Sequence, residues 1–438
     1  MDTMDEMMNE EFQKMLVEDK YVKVDYASVE ECKRDAEQGV PEAQHILGKA
    51  YHFGKGVSQD YEKAFYWYEK ATKQGVAASQ NNYALCHSGG YGTIKSREQA
   101  YYWYKQSARQ GLDIAQYNLA SCHKNGNGRG VEQDYKQAYY WYKQAAEQGL
   151  DIAQHNLAWC YDNGKGTFEN KDKTFYWYNL AAVQGYPLSQ NNLASCYEDG
   201  VGVEQDYEKA FFWYKKAAEQ GLDIAQNNLA HFYRLGIGLE QDNEEAFYWY
   251  KQAAKQGLAV AQNDLAICYR DGAGIEREYD QAVYWYKKAA EQGLAESQNN
   301  LACCYKDGVG VKQDYEKAVY WFRKVVEKSL DIGEYNLGWC YENGIGVAVD
   351  YEQSAHWYQK ASEKGFAHAQ RALGYQYEKG LGVQRNYKKA THWYKKAAEQ
   401  GDEDSKNNIR DLNVRKFWNV ITIVLLIYLF WIAVMRQV

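Results

Sequence analysis

The sequence predicts an all-α protein: a solenoid of about ten 36-residue helix-turn-helix repeats followed by one C-terminal transmembrane helix. Three observations lead to this prediction. One pattern recurs at a nearly fixed spacing, the 438 residues include only two prolines, and the last segment is a long uncharged run. A fixed period of this size is typical of arrays in which each copy packs on its neighbours. One tryptophan marks each copy: Trp67, Trp103, Trp141, Trp177, Trp213, Trp249, Trp285, Trp321, Trp357 and Trp393.

Residues 222–257 represent one copy of the repeat. Ala225, Leu229 and Phe232 fall on one face of a first helix, at about 100° per residue. A Gly-x-Gly turn follows, because glycine adopts backbone angles that other residues resist. We therefore expect the chain to reverse here and a second helix to pack antiparallel to the first.

The second helix of this copy has a predicted start, packing face and stop. Asp242 is the expected N-cap, and Gly257 is the glycine that ends the helix. Trp249 and Tyr250 are predicted on its buried face, where small alanines allow close helix packing. The same cap slot is filled in other copies by Asp60, Ser96, Asp134, Asn170, Asp206, Asp314, Asp350 and Asn386.

The repeat resembles the Sel-one-like repeat family, a relative of the tetratricopeptide repeat. The resemblance rests on the pattern A-x-x-x-L-[AG]-x-x-Y-x-x-G-x-G-V-x-x-D-x-x-x-A-x-x-W-Y-x-K-A-A-x-Q-G and covers roughly residues 36–410. It implies a right-handed α/α superhelix that serves as an adaptor for protein complexes. It implies no catalytic residues, because the motif of the family is structural.

Composition limits the partners and the compartment. The formal charge is −8, and the 51 basic and 59 acidic residues are interspersed without a basic stripe, so we expect no nucleic-acid partner. Most cysteines share one column with Phe232, which favours a small buried apolar site over a crosslink. Free thiols at this density favour a reducing compartment. The column holds Cys86, Cys122, Cys160, Cys196, Cys268, Cys304 and Cys340.

The carboxyl end predicts a membrane span. Residues 417–435 carry no charge, and as a helix they reach roughly 28 Å, enough to cross a bilayer core. Trp418 and Trp431 lie near the two ends, where aromatic rings favour the interface. The alternative is a capping helix on the last repeat, but such a cap needs a polar outer face. The predicted segments are an acidic N-terminal segment 1–27, the solenoid 28–410, a basic juxtamembrane linker 411–416, a transmembrane helix 417–435 and a tail 436–438.

Charge around the span predicts its orientation. Arg410, Arg415 and Lys416 before the span outnumber Arg436 after it, which places the repeats in the cytoplasm. The first residues have no basic and apolar signal pattern, so we expect a tail anchor. The chain also contains no N-x-Ser/Thr sequon, which agrees with a cytoplasmic array. Which membrane is used stays open.

Two columns of the first helix are predicted to face a partner. With Ala225 as position 1, positions 3 and 7 point farthest from the buried face, and in tetratricopeptide-like stacking this helix lines a concave groove. These columns vary between copies, as a ligand-specific surface or an unconstrained one would. Trp159 and Trp339 favour binding, because exposed aromatic rings act as anchors, and their five-repeat separation favours an extended peptide or a protein surface. The candidates are Tyr117, His155, Trp159, His231, Tyr335, Trp339, Arg371 and Tyr375.

Position 4 is almost uniformly asparagine. Because it flanks the packed face, we expect these side chains to form a hydrogen-bonded ladder between neighbouring repeats; clamping of a peptide backbone is the alternative. The column holds Asn82, Asn118, Asn156, Asn192, Asn228, Asn300 and Asn336.

No enzyme, cofactor or metal site is predicted. The histidines lack metal-ligand spacing, and the Gly-x-Gly turns lack the strand and lysine of a phosphate loop. We predict a membrane-tethered scaffold that binds a protein or an extended peptide in the concave groove. One alternative is a membrane adaptor in ubiquitin-dependent degradation at the endoplasmic reticulum, although such relatives hold their repeats in the lumen behind a signal peptide. Another is a hydrolase of the cysteine-rich β-lactamase-like branch, which pairs two cysteines per repeat where this chain has one.

Overall fold

A computed structural model describes residues 26–126, 132–328 and 330–435, and all secondary structure within these ranges is helical. The chain divides into two compact units, Met1–Gln241 and Asp242–Val438. Each unit contains helix pairs joined by short turns, which confirms the predicted all-α repeat solenoid. The segments predicted for 1–27 and 436–438 lie outside the described residues, apart from positions 26 and 27.

The described part of the first unit has a short leading helix followed by the repeats. From α2 onward, even-numbered helices are the first helices of their repeats and odd-numbered helices are the second. The bounds are α1 Val29–Glu37, α2 Pro41–Phe53, α3 Tyr61–Lys73, α4 Ala77–Gly89, α5 Arg97–Arg109, α6 Asp113–Asn125, α7 Tyr135–Glu147, α8 Asp151–Asp162, α9 Lys171–Val183, α10 Pro187–Asp199, α11 Tyr207–Glu219 and α12 Asp223–Leu235.

The second unit continues the same alternation and ends in a much longer helix. Its bounds are α13 Asn243–Lys255, α14 Ala259–Asp271, α15 Tyr279–Glu291, α16 Ala295–Asp307, α17 Tyr315–Glu327, α18 Asp331–Asn343, α19 Tyr351–Glu363, α20 Ala367–Lys379, α21 Tyr387–Glu399 and α22 Glu403–Met435.

Polar caps fix where the second helices begin, as predicted. The Asp206 carboxylate accepts a hydrogen bond from the backbone N–H of Lys209 at 3.0 Å. Ser96 and Asn170 cap α5 and α9 in the same way. These side chains satisfy amides that have no partner inside the helix.

The two glycines of each turn have different roles. Gly200 ends α10 in the left-handed conformation, with φ +68°. Gly202 also has a positive φ, and a Cβ added there would overlap the carbonyl oxygen of Lys171 in the preceding repeat. The first glycine therefore stops the helix, and the second lets the turn approach the neighbouring repeat.

The aromatic residue after the tryptophan occupies the centre of each repeat; it is tyrosine in nine copies and Phe322 in the other. Tyr214 is 2% exposed, whereas the adjacent Trp213 is half-buried beside Tyr178, Leu193 and Cys196. The same contrast holds in the other repeats except at Trp67, which is buried. The tryptophans are therefore less buried than the neighbouring aromatic residues with which they were predicted to share the packed face. One residue along a helix turns the side chain by about 100°, so only one of the two rings can point between the helices of its repeat.

The cysteine column is an apolar, uncrosslinked site, as predicted. Cys196 and Phe232 are both buried, and the thiols of the column are free. Cys304 is the half-buried member. Burial raises the pKa of the Cys196 thiol to about 12, so the reactive thiolate is disfavoured at neutral pH.

The predicted asparagine ladder is present in part; it is interrupted at Asn156, whose amide N–H donates within its own helix. Asn228 Nδ2 donates to Asn191 Oδ1 of the preceding repeat at 3.0 Å, and Asn336 Nδ2 donates to Asn299 Oδ1 at 2.7 Å. Because each pair joins positions 4 and 3 of successive repeats, the ladder fixes the register of the stacked first helices. These amides are used within the protein, so peptide clamping is not needed to explain them.

A second column of amides, which the sequence analysis missed, ties the two ends of each repeat together and reaches the preceding repeat. Gln220, the residue that follows α11, donates from Nε2 to Gln190 Oε1 of the same repeat at 2.7 Å. Gln190 Nε2 in turn reaches the Ala182 carbonyl at 3.2 Å. One repeat replaces the amide pair by an ion pair, in which Lys364 Nζ lies 2.6 Å from Glu334 Oε1.

The last helix combines a repeat segment with an apolar segment. Ser405 N–H donates to Asp402 at the start of α22, and Leu412 is 2% exposed against the last repeat. Between Phe417 and Leu429 the side chains are exposed, including Trp418 at 60%, apart from the half-buried Ile421. By length and composition this helix is able to cross a membrane, with only 6% of its most apolar window buried. Residues 411–416, predicted as a linker, lie inside the helix, so the repeat array and the apolar segment are continuous.

Candidate partner-binding surface

In the first unit, Trp159 is held by a lysine from the preceding repeat. Lys124 Nζ, at the end of α6, lies 4.3 Å from the Trp159 ring centroid and donates to Asn156 Oδ1 at 3.2 Å. Burial lowers the pKa of Lys124. A cation over an indole face is an attractive arrangement that strengthens as water is excluded. Lys124, His155, Asn156 and Trp159 form what we call the Trp159 cluster.

His155 connects this cluster to the next repeat. Its Nδ1 lies 2.9 Å from Ser189 Oγ, and its ring contacts Tyr178 and Tyr186 at centroid distances of 5.4 and 5.2 Å. Burial, and secondarily the charge of Lys124, lowers the pKa of His155 to about 3. The ring is therefore neutral at physiological pH. Its hydrogen bond and ring contacts attach the Trp159 cluster to the next repeat, and it contributes no charge to the surface.

Two other candidates of the first unit pack within it. The half-buried Tyr117 ring lies 5.8 Å from the Tyr142 ring. His231 is half-buried, and its Nδ1 lies 3.3 Å from an Arg234 guanidinium nitrogen. Tyr117 and Trp159 pack against the same buried cluster around Leu157, whereas His231 lies two repeats further along the chain.

The second unit repeats the arrangement at Trp339. Lys306 Nζ, at the end of α16, lies 4.9 Å from the Trp339 ring centroid. Tyr335 on the same helix packs against Tyr358 and Phe366, at 5.6 and 5.3 Å between centroids. Lys306, Tyr335 and Trp339 form what we call the Trp339 cluster. A lysine one repeat before a tryptophan is therefore a structural unit that occurs in both halves of the chain.

The remaining candidates lie at the last repeat. Arg371 forms an ion pair with Asp402 at 3.1 Å and contacts Asp404, beside a shallow cavity of about 470 Å³. Tyr375 is 44% exposed, and Lys379 Nζ lies 5.4 Å from its ring centroid. Arg371 joins α20 to the start of α22, whereas Tyr375 presents its ring to solvent.

A comparison with known families identifies the repeat. The family model of the Sel1 repeat matches residues 41–76, 77–112, 113–150, 151–186, 187–222, 223–258, 259–294, 295–328, 332–366 and 367–402. The chain belongs to the Sel1 repeat family. Sel1 repeat proteins generally mediate protein–protein interactions, which gives a coarse functional class.

Two solved Sel1 structures are similar to this chain. The protective antigen c5321, present in uropathogenic Escherichia coli strains and displaying an SLR fold, is 36% identical with a TM-score of 0.77, and the match covers 88% of this chain and 82% of that chain. A Sel1 repeat protein from Oxalobacter formigenes is 31% identical with a TM-score of 0.56, over 70% of this chain and 90% of that chain. A search among curated proteins finds no match.

Within these Sel1 repeats, position 3 does not point away from the packed face. Asn191 and His45 at this position are buried, and both bond to the following repeat. Of the eight candidates, only Tyr375 is exposed by more than a third. The predicted geometry is wrong because a single-helix projection omits the neighbouring repeat, which covers position 3. Position 7 stays at the border between packing and solvent.

The lysines under the two tryptophans were missed in the sequence. Lys124 and Lys306 occupy position 10, a column that also carries acidic residues such as Glu198, whose carboxylate accepts from Tyr214 at 2.7 Å. The available signal was correlation between copies: each position-7 tryptophan follows a repeat with lysine at position 10. The full column is His52, Ser88, Lys124, Asp162, Glu198, Arg234, Arg270, Lys306, Glu342 and Glu378.

No chemical centre is found in the described part of these Sel1 repeats. In the ranges that the structure describes, no three His, Cys, Asp or Glu side chains form a group able to hold a metal ion. The strongest pKa changes among the cysteines are upward and caused by burial, as at Cys86 and Cys160. Such thiols are poor nucleophiles at neutral pH.

Proposed function

We propose that this protein is a membrane-tethered scaffold whose first helices bind a protein or an extended peptide. The observation that carries this proposal is the pairing of a lysine with a half-buried position-7 tryptophan, once in each unit. The family supports the broader class of protein interaction, and the two clusters indicate where contact is made.

Each cluster offers a rigid aromatic edge and a cation that is already partly desolvated. Lys124 fixes the Trp159 ring, so little side-chain entropy remains to be lost when a partner covers it. Tryptophan is enriched among residues that dominate interface energies. A matching partner segment carries an apolar side chain for the indole and an acidic group for the lysine, and each unit binds such a segment by itself.

Membrane tethering is proposed from the exposed half of α22. Ile423, Leu426 and Leu429 are all more than half exposed, and their neighbours are equally apolar. A contiguous apolar surface of this size is an aggregation hazard in water, but it matches the hydrocarbon core of a bilayer. With Arg415 and Lys416 on the cytoplasmic side, the repeats face the cytoplasm.

Substitution at the clusters tests the binding surface. Trp159→Ala and Trp339→Ala in the full chain, purified from native membranes in detergent, are expected to lose specific co-purifying proteins at least tenfold, as anchor residues do. Those proteins are then produced separately, and their direct affinity for wild type and variants is measured.

Matched controls separate the clusters from general loss of aromatic surface. Phe212 and Tyr320 lie on second helices and are 50% and 54% exposed. Phe212→Ala and Tyr320→Ala are expected to keep the partners. Equal losses with these variants, or retention of all partners by both tryptophan variants, contradicts the proposed site.

Membrane attachment is tested by removing the apolar segment. The full chain is expected to float with membranes and to resist alkaline extraction. A chain ending after Asn413 lacks the apolar segment and is expected to become extractable. Its repeats should stay folded, because Leu412 and the repeat contacts of α22 are retained. Protease added to sealed microsomes is expected to digest the repeats. Retention of the shortened chain in membranes contradicts the anchor, and protected repeats contradict the cytoplasmic orientation.

A further inference from the structure

The last repeat and the apolar segment are joined by one continuous helix, with no loop between them. Leu412 is buried against the repeat, and Arg415 Nη1 lies 2.9 Å from Glu378 Oε1 on α20. Phe417, the first residue of the uncharged run, follows two residues later in the same helix, about 3 Å further along its axis. The repeat surface around Arg415 must therefore lie next to the surface of any bilayer that α22 enters.

The structure also indicates which edge of the repeat lies there. The Glu378 carboxylate that meets Arg415 stands at the end of α20, where the chain turns into α21. In that turn, Arg385 donates to the Lys379 carbonyl at 3.3 Å. The turn and the start of α21 therefore lie beside the exit of α22. The headgroup layer is roughly 5–8 Å deep on each side of a bilayer, so this edge reaches it.

The charge of this edge is reversed relative to other repeats. At the second residue of its helix, α21 has Lys388. A lysine at a helix start opposes the helix dipole, so helix stability does not explain it. The same slot is acidic in eight of the other nine repeats and holds Lys136 in the ninth. The acidic residues are Glu62, Glu98, Asp172, Glu208, Glu244, Asp280, Glu316 and Glu352.

The cap of the same helix has also lost its charge. Lys209 and Lys317 each pair with the aspartate that caps their helix, at 2.8 Å. Lys389 occupies their slot, but its cap is the uncharged Asn386, so it keeps only the tyrosine contact that Lys209 and Lys317 also make, at 5.0 Å from the Tyr377 ring centroid. Neither Lys388 nor Lys389 forms an ion pair with any residue that the structure describes.

We propose that Arg385, Lys388, Lys389, Arg415 and Lys416 form a cationic edge that binds the headgroups of anionic phospholipids. Charge complementarity and depth support this occupant: phosphate oxygens accept from ammonium and guanidinium groups, and the edge adjoins the start of the apolar helix. The inference rests on the proposed anchoring through α22. It adds that the last repeat lies on the bilayer surface.

Lysine protection in lipid nanodiscs tests this inference on the full chain. Nanodiscs contain phosphatidylcholine alone or with phosphatidylglycerol, whose headgroup has no amine to consume the reagent. A water-soluble amine-reactive reagent is added, and modification is read for each peptide by mass spectrometry. Lys388 and Lys389 are expected to be protected in the anionic discs, and protection falls with added salt. Lys136 and Lys317, in the matching slots of other repeats, stay reactive.

Two variants test the cause of the protection. Lys388→Glu restores the usual acid of the slot and is expected to lower protection at Lys389 about fivefold, whereas Lys136→Glu leaves it unchanged. A short Gly-Ser insertion between Lys416 and Phe417 keeps the anchor but frees the repeat, so protection at both lysines is expected to disappear.

Each contrary result has a separate meaning. If the protein resides in nanodiscs but Lys388 and Lys389 react like Lys136 and Lys317, the cationic edge is overturned and the anchor stands. If soluble inositol hexakisphosphate protects them equally in detergent without lipid, the edge binds soluble anions and the inference is overturned. If the protein does not enter nanodiscs, the anchoring proposal fails, and this inference fails with it.

Discussion

Tyr214 and Trp213 are neighbours in sequence but have different physical roles. The helical projection placed both aromatic rings on the packed face. In the structure Tyr214 fills the space between the two helices of its repeat, and Trp213 lies at the border with solvent. The positions of aromatic residues were therefore predictable from the sequence. How deeply each ring is buried depends on the neighbouring side chains around it, which no single helix specifies.

His155 should make the array less stable in acid. Burial and the Lys124 charge lower the pKa of this residue from its ordinary 6.5 to about 3. Below pH 6.5 the unfolded chain therefore binds a proton that the folded chain does not, and unfolding becomes easier as the pH falls toward 3. His155 is expected to account for about 2 kcal/mol of lost unfolding free energy between pH 7 and pH 5.

His155→Asn provides the matched test of this pH effect. Asn263 holds the same position in another repeat and accepts from Ser297 Oγ at 2.9 Å, so asparagine can also bond to Ser189. Urea unfolding followed against pH is expected to show similar stability at pH 7 and a smaller acid loss in the variant. Parallel pH profiles of wild type and variant would contradict the assigned role of His155.

At the scale of elements, the junctions between repeats follow rules that only partly appear in the sequence. The caps and the helix-ending glycines are local, so positions such as Asp206 and Gly257 were predicted from the pattern. Gly202 is different, because it is required by a carbonyl of the preceding repeat. The glutamine column was equally hidden, since its hydrogen-bonded partners are 30 residues apart at opposite ends of one repeat and each residue alone resembles an ordinary polar surface residue.

The ion pair between Lys364 and Glu334 should be more sensitive to loss of one partner than the glutamine pairs of the other repeats. The Glu334 side chain is only 6% exposed, so Lys364→Ala leaves a buried carboxylate without its cation. The expected cost is about 1–3 kcal/mol, measured by faster amide hydrogen exchange in α18. Gln220→Ala, the control, leaves a neutral amide at Gln190 and is expected to cost less at α10.

A second substitution tests whether the unpaired charge of Glu334 causes the loss of protection. Adding Glu334→Gln to Lys364→Ala removes the stranded charge and is expected to restore part of the lost protection. Equal losses for Lys364→Ala and Gln220→Ala, with no recovery in the double variant, would show that charge is not the cause.

At the scale of the whole molecule, α22 changes how attachment to a membrane is understood. The sequence suggested a transmembrane helix joined to the array by a basic linker, with a capping helix as the alternative. In the structure one helix combines a repeat contact with an exposed apolar segment, because Leu412 packs on the last repeat and Trp418 is exposed. The proposed anchor therefore holds the last repeat close to the lipid surface, and the cationic edge follows from that continuity.

The sequence by itself determined the Sel1 repeat, its period, the helix starts and stops, the buried cysteine column and the apolar end of the chain. These features depend on local backbone preferences and on periodicity, which are written within a single copy. Tertiary structure decided that the aromatic residue after each tryptophan takes the centre, that Lys124 and Lys306 support the two tryptophans, and that α22 continues the last repeat. The physical reason is that the lysine–tryptophan contacts and the packing of α22 join residues of adjacent copies, and the depth of each aromatic ring depends on both helices of its repeat, so no single helix sets the burial.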